Sequence, residues 1–437
     1  MLPYRLYLDR NADWTVKFGY GILDQGFYSG ANFLLFILLA RWISTEAYGT
    51  FSAVYSIFLL AATLQVALVA EPMSIFGVDR YRDNVAGYLN YLLRIQWIGS
   101  SALSLMLIII ALLFVQDRLF KENLISMALV MPFMLVYWYL RRALYLKAQS
   151  KAAMISSLAY LFLLIFQIFF LQTLGYLSFF TAYVIMATSS LLASFFTLKI
   201  LDINLLGHGS IKTDLKSGLI HAELWGFGKW LMFAYFANWL TVISYPLLIA
   251  VYINVELAGA FRSVQNLFLP FQQFLSAVTL LVLPWLAGQW ADKDDVQLFS
   301  ATRRIARAVT FTALFYCSGI TIFRNVIMSF LYANQLYSSF SGLILYLALA
   351  TMIGAVHIIL GLALRVVRQT NIILWSKGIA ALFFLLIAIP ALGRFQTAGV
   401  LFLLIATALI EAFILVYFYF RIERSIKLQA GLKEAVS

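Results

Sequence analysis

Three carboxylates lie in stretches that are otherwise apolar: Asp24, Glu71 and Glu411. A charge in the middle of a lipid bilayer costs roughly 2.5–3.5 kcal/mol on insertion scales, so each of them needs a partner, a wet cavity or a function. Glu411 lies about 15 Å along a helix from Arg421, and its own apolar stretch contains no cation. The functional hypothesis is reversible binding of a coupling ion, either a proton or Na⁺. The alternative is an interhelical hydrogen bond or a protonated, silent carboxyl group.

A second set of candidates consists of basic residues that could contact an anionic group. Arginine suits a pyrophosphate because its guanidinium donates two parallel hydrogen bonds. Most of the set lies near one predicted membrane face, where the same residues also orient helices. Arg262 differs, since it lies towards the other face and replaces Ser52 of an internal repeat. The six candidates are Arg94, Arg142, Lys229, Arg262, His357 and Arg365.

Uncharged polar residues form the third set of candidates, Asn238, Gln265 and Gln272. Their amides could hydrogen-bond hydroxyl groups, and neighbouring aromatic faces could stack on sugar rings. The alternative is that the aromatic residues form an ordinary belt at the membrane interface. These aromatic residues are Trp225, Trp230, Tyr235, Trp239 and Tyr245.

The elements that must hold these side chains are membrane-spanning helices. Apolar residues make up 63% of the 437-residue chain and charged residues only 11%, too few to cover a soluble protein of this size. Twelve apolar runs are long enough to cross about 30 Å of hydrocarbon, which takes roughly 20 residues each. Approximate bounds are 18–41, 47–71, 91–115, 123–146, 152–174, 177–199, 225–250, 258–286, 305–331, 340–364, 370–392 and 397–420.

The distribution of positive charge predicts the orientation of these spans. With residues 1–18 read as a retained cytoplasmic start, 25 of the 31 Lys and Arg residues fall on the cytoplasmic side and 6 on the other. This is the positive-inside pattern of a multi-pass membrane protein, and it places both termini in the cytoplasm. The net charge of +12 is therefore expected to meet anionic membrane lipid, and no nucleic-acid partner is expected.

An internal repeat predicts two similar halves. The segment 40–60 returns as 250–270 with eight identical positions, and six spans separate the copies. An even number of spans gives both copies the same orientation, so the halves are expected to be parallel. Ser44 and Asn254 are predicted to cap the helices that follow them. The predicted fold is all-α and polytopic, with twelve transmembrane helices in two parallel six-helix lobes at 1–203 and 223–437, joined by a cytoplasmic linker at 204–222.

Two short motifs carry a resemblance to a known family. A first span that ends in Ala40-Arg41, followed by the Glu-Ala-Tyr-Gly turn at 46–49, resembles the polysaccharide transporter branch of the multidrug/oligosaccharidyl-lipid/polysaccharide (MOP) exporter superfamily, which includes Wzx-type flippases. The stretch 71–73 is similar to exopolysaccharide members. The resemblance is best over the first 80 residues and implies a MATE/MOP-like fold in a bacterial inner membrane.

The same resemblance implies a function. A protein of this branch would move a polyprenyl-pyrophosphate-linked oligosaccharide, an O-antigen or exopolysaccharide repeat unit, across the membrane by alternating access. The buried acids add cation coupling, by H⁺ or Na⁺, to this prediction. No further cofactor is expected, and polysaccharide polymerase and glycosyltransferases are expected as partners. No fixed set of substrate residues follows from it.

Other functions compete with this one. A MATE-like exporter of drugs or small molecules would share the fold, whereas a lipid II flippase typically has two further spans. An ATP-driven pump is excluded by the absence of a Walker A motif. Polyprenyl-dependent enzymes generally need a large outer loop that is missing here, so no enzyme is expected. The single Cys317 excludes a disulfide and a cysteine-based metal site.

Overall fold

The computed structural model describes residues 11–77, 79–201, 217–291, 295–332 and 340–436, and every element among them is a helix. Nine of the described helices are long and apolar enough to span a membrane, or ten if the pair bent by 56° beside Ser244 forms one span. The chain is therefore an all-helical polytopic membrane protein. The count of twelve spans and the lobes at 1–203 and 223–437 stay predictions. The first ten residues and 204–216 of the predicted linker lie outside the described residues.

The first of two compact units, Met1–Phe236, is built around one central helix, α4. In α4, 72% of the apolar span is buried, against 22% in α3. Helix α4 packs against α2, α3 and α6, and α1 lies along α5. The helices are α1 (Asn11–Trp42), α2 (Thr45–Phe76), α3 (Val85–Phe114), α4 (Arg118–Leu146), α5 (Ser150–Thr173), α6 (Phe179–Leu201) and most of α7 (Ser217–Asn238).

Helix α2 begins where the repeat predicts and runs past its predicted end. The Ser44 hydroxyl accepts a hydrogen bond from the Ala47 N–H at 3.2 Å, which confirms the predicted cap. The predicted end of this span at 71 is wrong, because the helix continues to Phe76. A π turn at Val66–Ala70 precedes Pro72. Proline in the first turn of the continuing helix needs no N–H partner, so the chain stays helical there.

The second unit, Ala237–Ser437, contains shorter and more broken helices around α13. Helix α13 packs against α10, α11 and the C-terminal helices. The predicted single span at 258–286 is two helices that meet at Phe268, ahead of Pro270. The elements are α8 (Tyr245–Tyr252), α9 (Val255–Leu267), α10 (Leu269–Ala291), α11 (Asp295–Ile322), α12 (Arg324–Leu331), α13 (Leu343–Val366) and Thr370–Val436, which a kink at Gln396 divides into α14 (370–395) and α15 (397–436).

The outer surfaces of both units are apolar. Phe166 of α5 is 58% exposed, Phe315 of α11 78% and Phe413 of α15 74%. Exposed apolar surface on this scale requires lipid around it. Helices satisfy their own backbone hydrogen bonds, which makes them suited to that surrounding.

The turn between α14 and α15 depends on a glycine. Gln396 has φ of 44° and ψ of −120°, a conformation that side-chain-bearing residues rarely adopt. This turn brings Gly399 so close to the preceding helix that a Cβ atom there would lie 2.2 Å from the Ala391 carbonyl oxygen. Only glycine fits at 399 without moving the backbone.

We therefore expect Gly399→Ala to destabilise the second unit by about 1–3 kcal/mol, the usual cost of overpacking. The measurement is the midpoint of thermal unfolding of the detergent-purified protein. Gly393→Ala is the matched control, because a Cβ atom at that position meets no atom within 4 Å. Equal midpoints for the two variants would contradict this account of the turn.

Candidate functional site

Asp24 on α1 is almost fully buried and is held by residues of two other helices. Arg141 of α4 donates two hydrogen bonds to this carboxylate, from Nε to Oδ1 and from Nη2 to Oδ2, and each is 2.8 Å long. Ser157 of α5 donates to Oδ1 at 2.5 Å, and the Tyr145 hydroxyl donates to Oδ2. The carboxylate is 1% exposed and the arginine side chain 12%. This is a buried, bidentate ion pair that joins three helices.

Aromatic residues pack around this ion pair. The Arg141 guanidinium lies 4.4 Å from the centre of the Tyr28 ring, one turn along α1 from Asp24. Tyr28 in turn contacts the rings of Tyr137 and Tyr160, at 6.1 and 5.3 Å between centroids. The cation–π contact and the bidentate hydrogen bonds fix the orientation of the guanidinium.

Glu411 on α15 is the centre of a second buried cluster. His357 of α13 places Nε2 3.6 Å from the Glu411 Oε2 atom, and Lys377 of α14 places Nζ 3.5 Å from the same atom. Lys377 also donates to the Asn238 Oδ1 atom at 2.9 Å. The glutamate side chain is 7% exposed. The structure thus brings together Glu411, His357 and Asn238, which the sequence proposed for two separate roles.

Glu71 is less enclosed than the other two acids. Its Oε1 atom lies 3.7 Å from Arg142 Nη1 and accepts from the Tyr235 hydroxyl at 3.3 Å. The Glu71 and Arg142 side chains are 37% and 45% exposed. Solvent or headgroups can screen this pair, so its energetic value is small.

The remaining candidates occupy varied surroundings. Arg94, Arg365 and Gln272 are exposed, on α3, at the end of α13 and on α10. Lys229 is half-buried with its ammonium 5.5 Å from the centre of the Trp230 ring, whereas Arg262 is only 9% exposed.

The Gln265 amide donates a hydrogen bond to the Val242 carbonyl oxygen at 3.3 Å, so it satisfies a backbone group. The aromatic residues proposed to stack on sugars also differ in their exposure. Trp225 and Trp230 are more than half exposed, but Tyr245 is completely buried and packs against Phe384. Tyr245 is therefore a core residue and cannot contact a sugar.

Another ion pair lies between the ends of membrane helices. Arg80, Tyr81 and Glu223 meet there, with the Tyr81 hydroxyl donating to Glu223 Oε2 at 2.8 Å and Arg80 in an ion pair with the same carboxylate. Burial raises the pKa of Tyr81, so its hydroxyl stays protonated as the donor. This pair attaches the first part of α7 to the first unit.

Two residues central to the clusters were not among the sequence candidates, Arg141 and Lys377. Both were counted only as charges near the predicted cytoplasmic face. Each follows an apolar stretch, as many orienting cations do, so position alone does not distinguish them. Within the described ranges, no three His, Cys, Asp or Glu side chains group closely enough to hold a metal ion.

Comparison with known proteins gives a fold. No protein-family model matches the chain, and no curated protein matches it. An inward-facing MATE multidrug resistance transporter of the MOP superfamily aligns at a TM-score of 0.71 and 12% identity, over 94% of this chain and 96% of that one. An outward-facing one aligns at 0.66 and 13%, over 94% and 96%. The MATE multidrug transporter DinF-BH, solved as a complex with a ligand, aligns at 0.67 and 12%, over 93% and 94%.

At these identities the likeness shows the fold alone: the chain has the all-helical polytopic membrane fold of MATE transporters. These neighbours are described as transporters, and the expectation that this chain is no enzyme stays a prediction. The MOP superfamily named by the sequence resemblance is the superfamily of the structural neighbours. The polysaccharide branch within it stays a prediction.

We expect Arg141→Met to lower the stability of the first unit by about 3–5 kcal/mol, because it leaves the Asp24 carboxylate buried without its counter-charge. Arg142→Met should change stability by less than about 1 kcal/mol, since Arg142 is half exposed. The two residues are neighbours, so they form a matched pair for thermal unfolding in detergent. Adding Asp24→Asn to Arg141→Met should restore part of the loss; no restoration would show that the lost packing dominates.

Proposed function

We propose that this chain is a flippase that moves a polyprenyl-pyrophosphate-linked oligosaccharide across a bacterial inner membrane by alternating access. The observation that supports transport is the fold, which resembles MATE transporters in both inward-facing and outward-facing conformations. The motifs at 40–49 and 71–73 favour the polysaccharide branch. The repeat unit would be that of an O-antigen or an exopolysaccharide. Polymerase and glycosyltransferases would be its partners.

The charge of the chain supports an anionic substrate. Arg94, Arg142 and Arg365 are exposed at helix positions near the predicted cytoplasmic face, and Lys229 is half-buried there. A pyrophosphate arriving from the cytoplasmic leaflet would meet these residues first. Guanidinium groups bind such an oxyanion through paired hydrogen bonds, so they suit recognition of the headgroup common to all polyprenyl-pyrophosphate sugars.

The buried acids support ion coupling. Asp24 and Glu411 lie inside separate units, each with a cation from a neighbouring helix. A change of charge at such a pair alters the attraction between the helices it joins. Ion binding could therefore favour one conformation over another, as a coupled transporter requires. Glu71, with its half-exposed partner Arg142, is the weaker candidate for this role.

Export of drugs or other small molecules is the second candidate function. It is favoured by the similarity to MATE multidrug transporters, one of which has been solved as a ligand complex. The fold supports it as well as it supports a flippase. The positive charge near the predicted cytoplasmic face argues against it, because the arginines there would repel cationic dyes.

Reconstitution into liposomes tests both functions with the same protein. A polyprenyl-pyrophosphate oligosaccharide with a fluorescent label on the sugar is placed in the vesicles, and an impermeant reducing agent destroys label that is accessible from outside. Protein-dependent access to the whole label pool supports the flippase. Uptake or efflux of the cationic dye ethidium, with no movement of the labelled lipid, would support the drug exporter instead.

We expect Asp24→Asn and Glu411→Gln each to slow transport by about tenfold or more, the value of one lost charged hydrogen bond. Each variant replaces a buried charge and should leave membrane insertion intact, which is checked by the yield of monodisperse protein. Glu122→Gln is a matched control, because Glu122 forms an exposed ion pair with Arg118 on a single helix. Transport at the wild-type rate by both Asp24→Asn and Glu411→Gln would exclude coupling at these acids.

A further inference from the structure

The two buried acids differ in how their carboxylates are held. Asp24 accepts four hydrogen bonds that fill both of its oxygens, two from Arg141, one from Ser157 and one from Tyr145. A proton on this carboxylate would have to displace one of these donors.

Glu411 has longer contacts. Both cationic partners lie 3.5–3.6 Å from the Oε2 atom, whereas charged hydrogen bonds between nitrogen and oxygen are typically about 2.7–2.9 Å. A proton can therefore be added to this cluster without breaking a pair of bidentate hydrogen bonds. Of the two acids, Glu411 is the one whose surroundings permit exchange of an ion.

The contacts of Glu411 also decide which ion can bind. A metal cation is held by several oxygen ligands at close range. The ammonium of Lys377 lies 3.5 Å from the Glu411 carboxylate and also donates to the Asn238 Oδ1 atom, so it occupies the oxygens that could otherwise ligate Na⁺. Two like charges about 4 Å apart near a protein interior repel strongly enough to lower Na⁺ affinity by about a thousandfold.

A proton, in contrast, needs no coordination shell. His357 faces Glu411, and imidazole is the side chain that ordinarily changes its charge between about pH 5 and 8. Among the described residues, the charged groups that face His357 are Glu411 of α15 and Lys377 of α14. Asn238, at the end of α7, contributes a neutral amide whose Oδ1 atom accepts a hydrogen bond from Lys377.

We infer that the ion exchanged in this protein is the proton, that the Glu411–His357 pair of the second unit takes it up, and that Lys377 excludes Na⁺ from the pair. The proton comes from water and is shared between the imidazole Nε2 and the glutamate Oε2 atoms. The cluster then gains one positive charge. Asp24 with Arg141 is a bidentate pair that joins helices, so of the two coupling candidates the exchange is assigned to Glu411 alone.

This inference rests on the proposed ion coupling, but its test needs no transported substrate. Proton uptake is counted by titrating weakly buffered, detergent-purified protein between about pH 8 and pH 5. Glu411→Gln and His357→Asn should each bind about one proton fewer than wild type, as linkage requires. Asp24→Asn should leave the count unchanged. A proton lost in Asp24→Asn and in neither of the other variants would overturn the assignment.

The exclusion of Na⁺ is tested by thermal unfolding in equal concentrations of NaCl and KCl. A ligand that binds the folded state raises its unfolding midpoint. Wild type should unfold at the same temperature in both salts, as should Lys377→Arg, which keeps the charge. Lys377→Gln should become more stable in NaCl than in KCl.

A higher midpoint in NaCl for wild type that Glu411→Gln abolishes would overturn the inference, and so would a Lys377→Gln variant that unfolds at the same temperature in both salts. Because neither experiment uses a transported substrate, failure of the liposome assay would reject the flippase and leave these results standing. Conversely, lipid movement in the liposome assay together with Na⁺ binding at Glu411 would support the proposed function and reject this inference.

Discussion

The constraint on which the structure depends is that a charge removed from water must be paired. Asp24 and Glu411 each meet a cation from a different helix, and each pair lies inside one unit. The Coulomb attraction is strong there because little water screens it. Removing either partner would leave an uncompensated buried charge. The pairs therefore determine which helices lie together: α1 with α4 and α5, and α13 with α14 and α15.

Backbone polar groups removed from water must also be paired, and this explains what surrounds the departures from regular helix. A π turn before Pro72, a break at Phe268 and the bend beside Ser244 all interrupt backbone hydrogen bonding. In lipid an interrupted backbone needs local donors. At the Phe268 break the Tyr316 hydroxyl donates to the Leu267 carbonyl oxygen at 2.6 Å. At the bend, the Ser244 hydroxyl donates to the Leu240 carbonyl oxygen at 2.6 Å.

The local features of the chain were predictable from sequence, and the pairing of its charges was not. Ser44 and Asn254 cap helices as predicted, because a cap involves residues three positions apart. Glu411 was recognised as buried, but its partners lie on other helices and nothing in its own span points to them. Arg141 and Arg142 show the limit clearly. Successive helical residues point about 100° apart, so only Arg141 faces Asp24, and composition cannot say which of the two does.

The contacts of Asp24 with Arg141 are shorter than those of Glu411 with His357 and Lys377, and this difference matters for a transport cycle. A bidentate pair such as Asp24–Arg141 holds one geometry, since both edges of the guanidinium must separate together. A cluster with longer contacts, such as Glu411 with His357 and Lys377, is not fixed in one geometry by paired hydrogen bonds. A protein that must change conformation needs both kinds: rigid units to move and one site whose charge alters the balance between states. Under the proposed coupling, the first unit would move as a rigid body and the second would sense the ion, even though the sequence repeat relates the two halves.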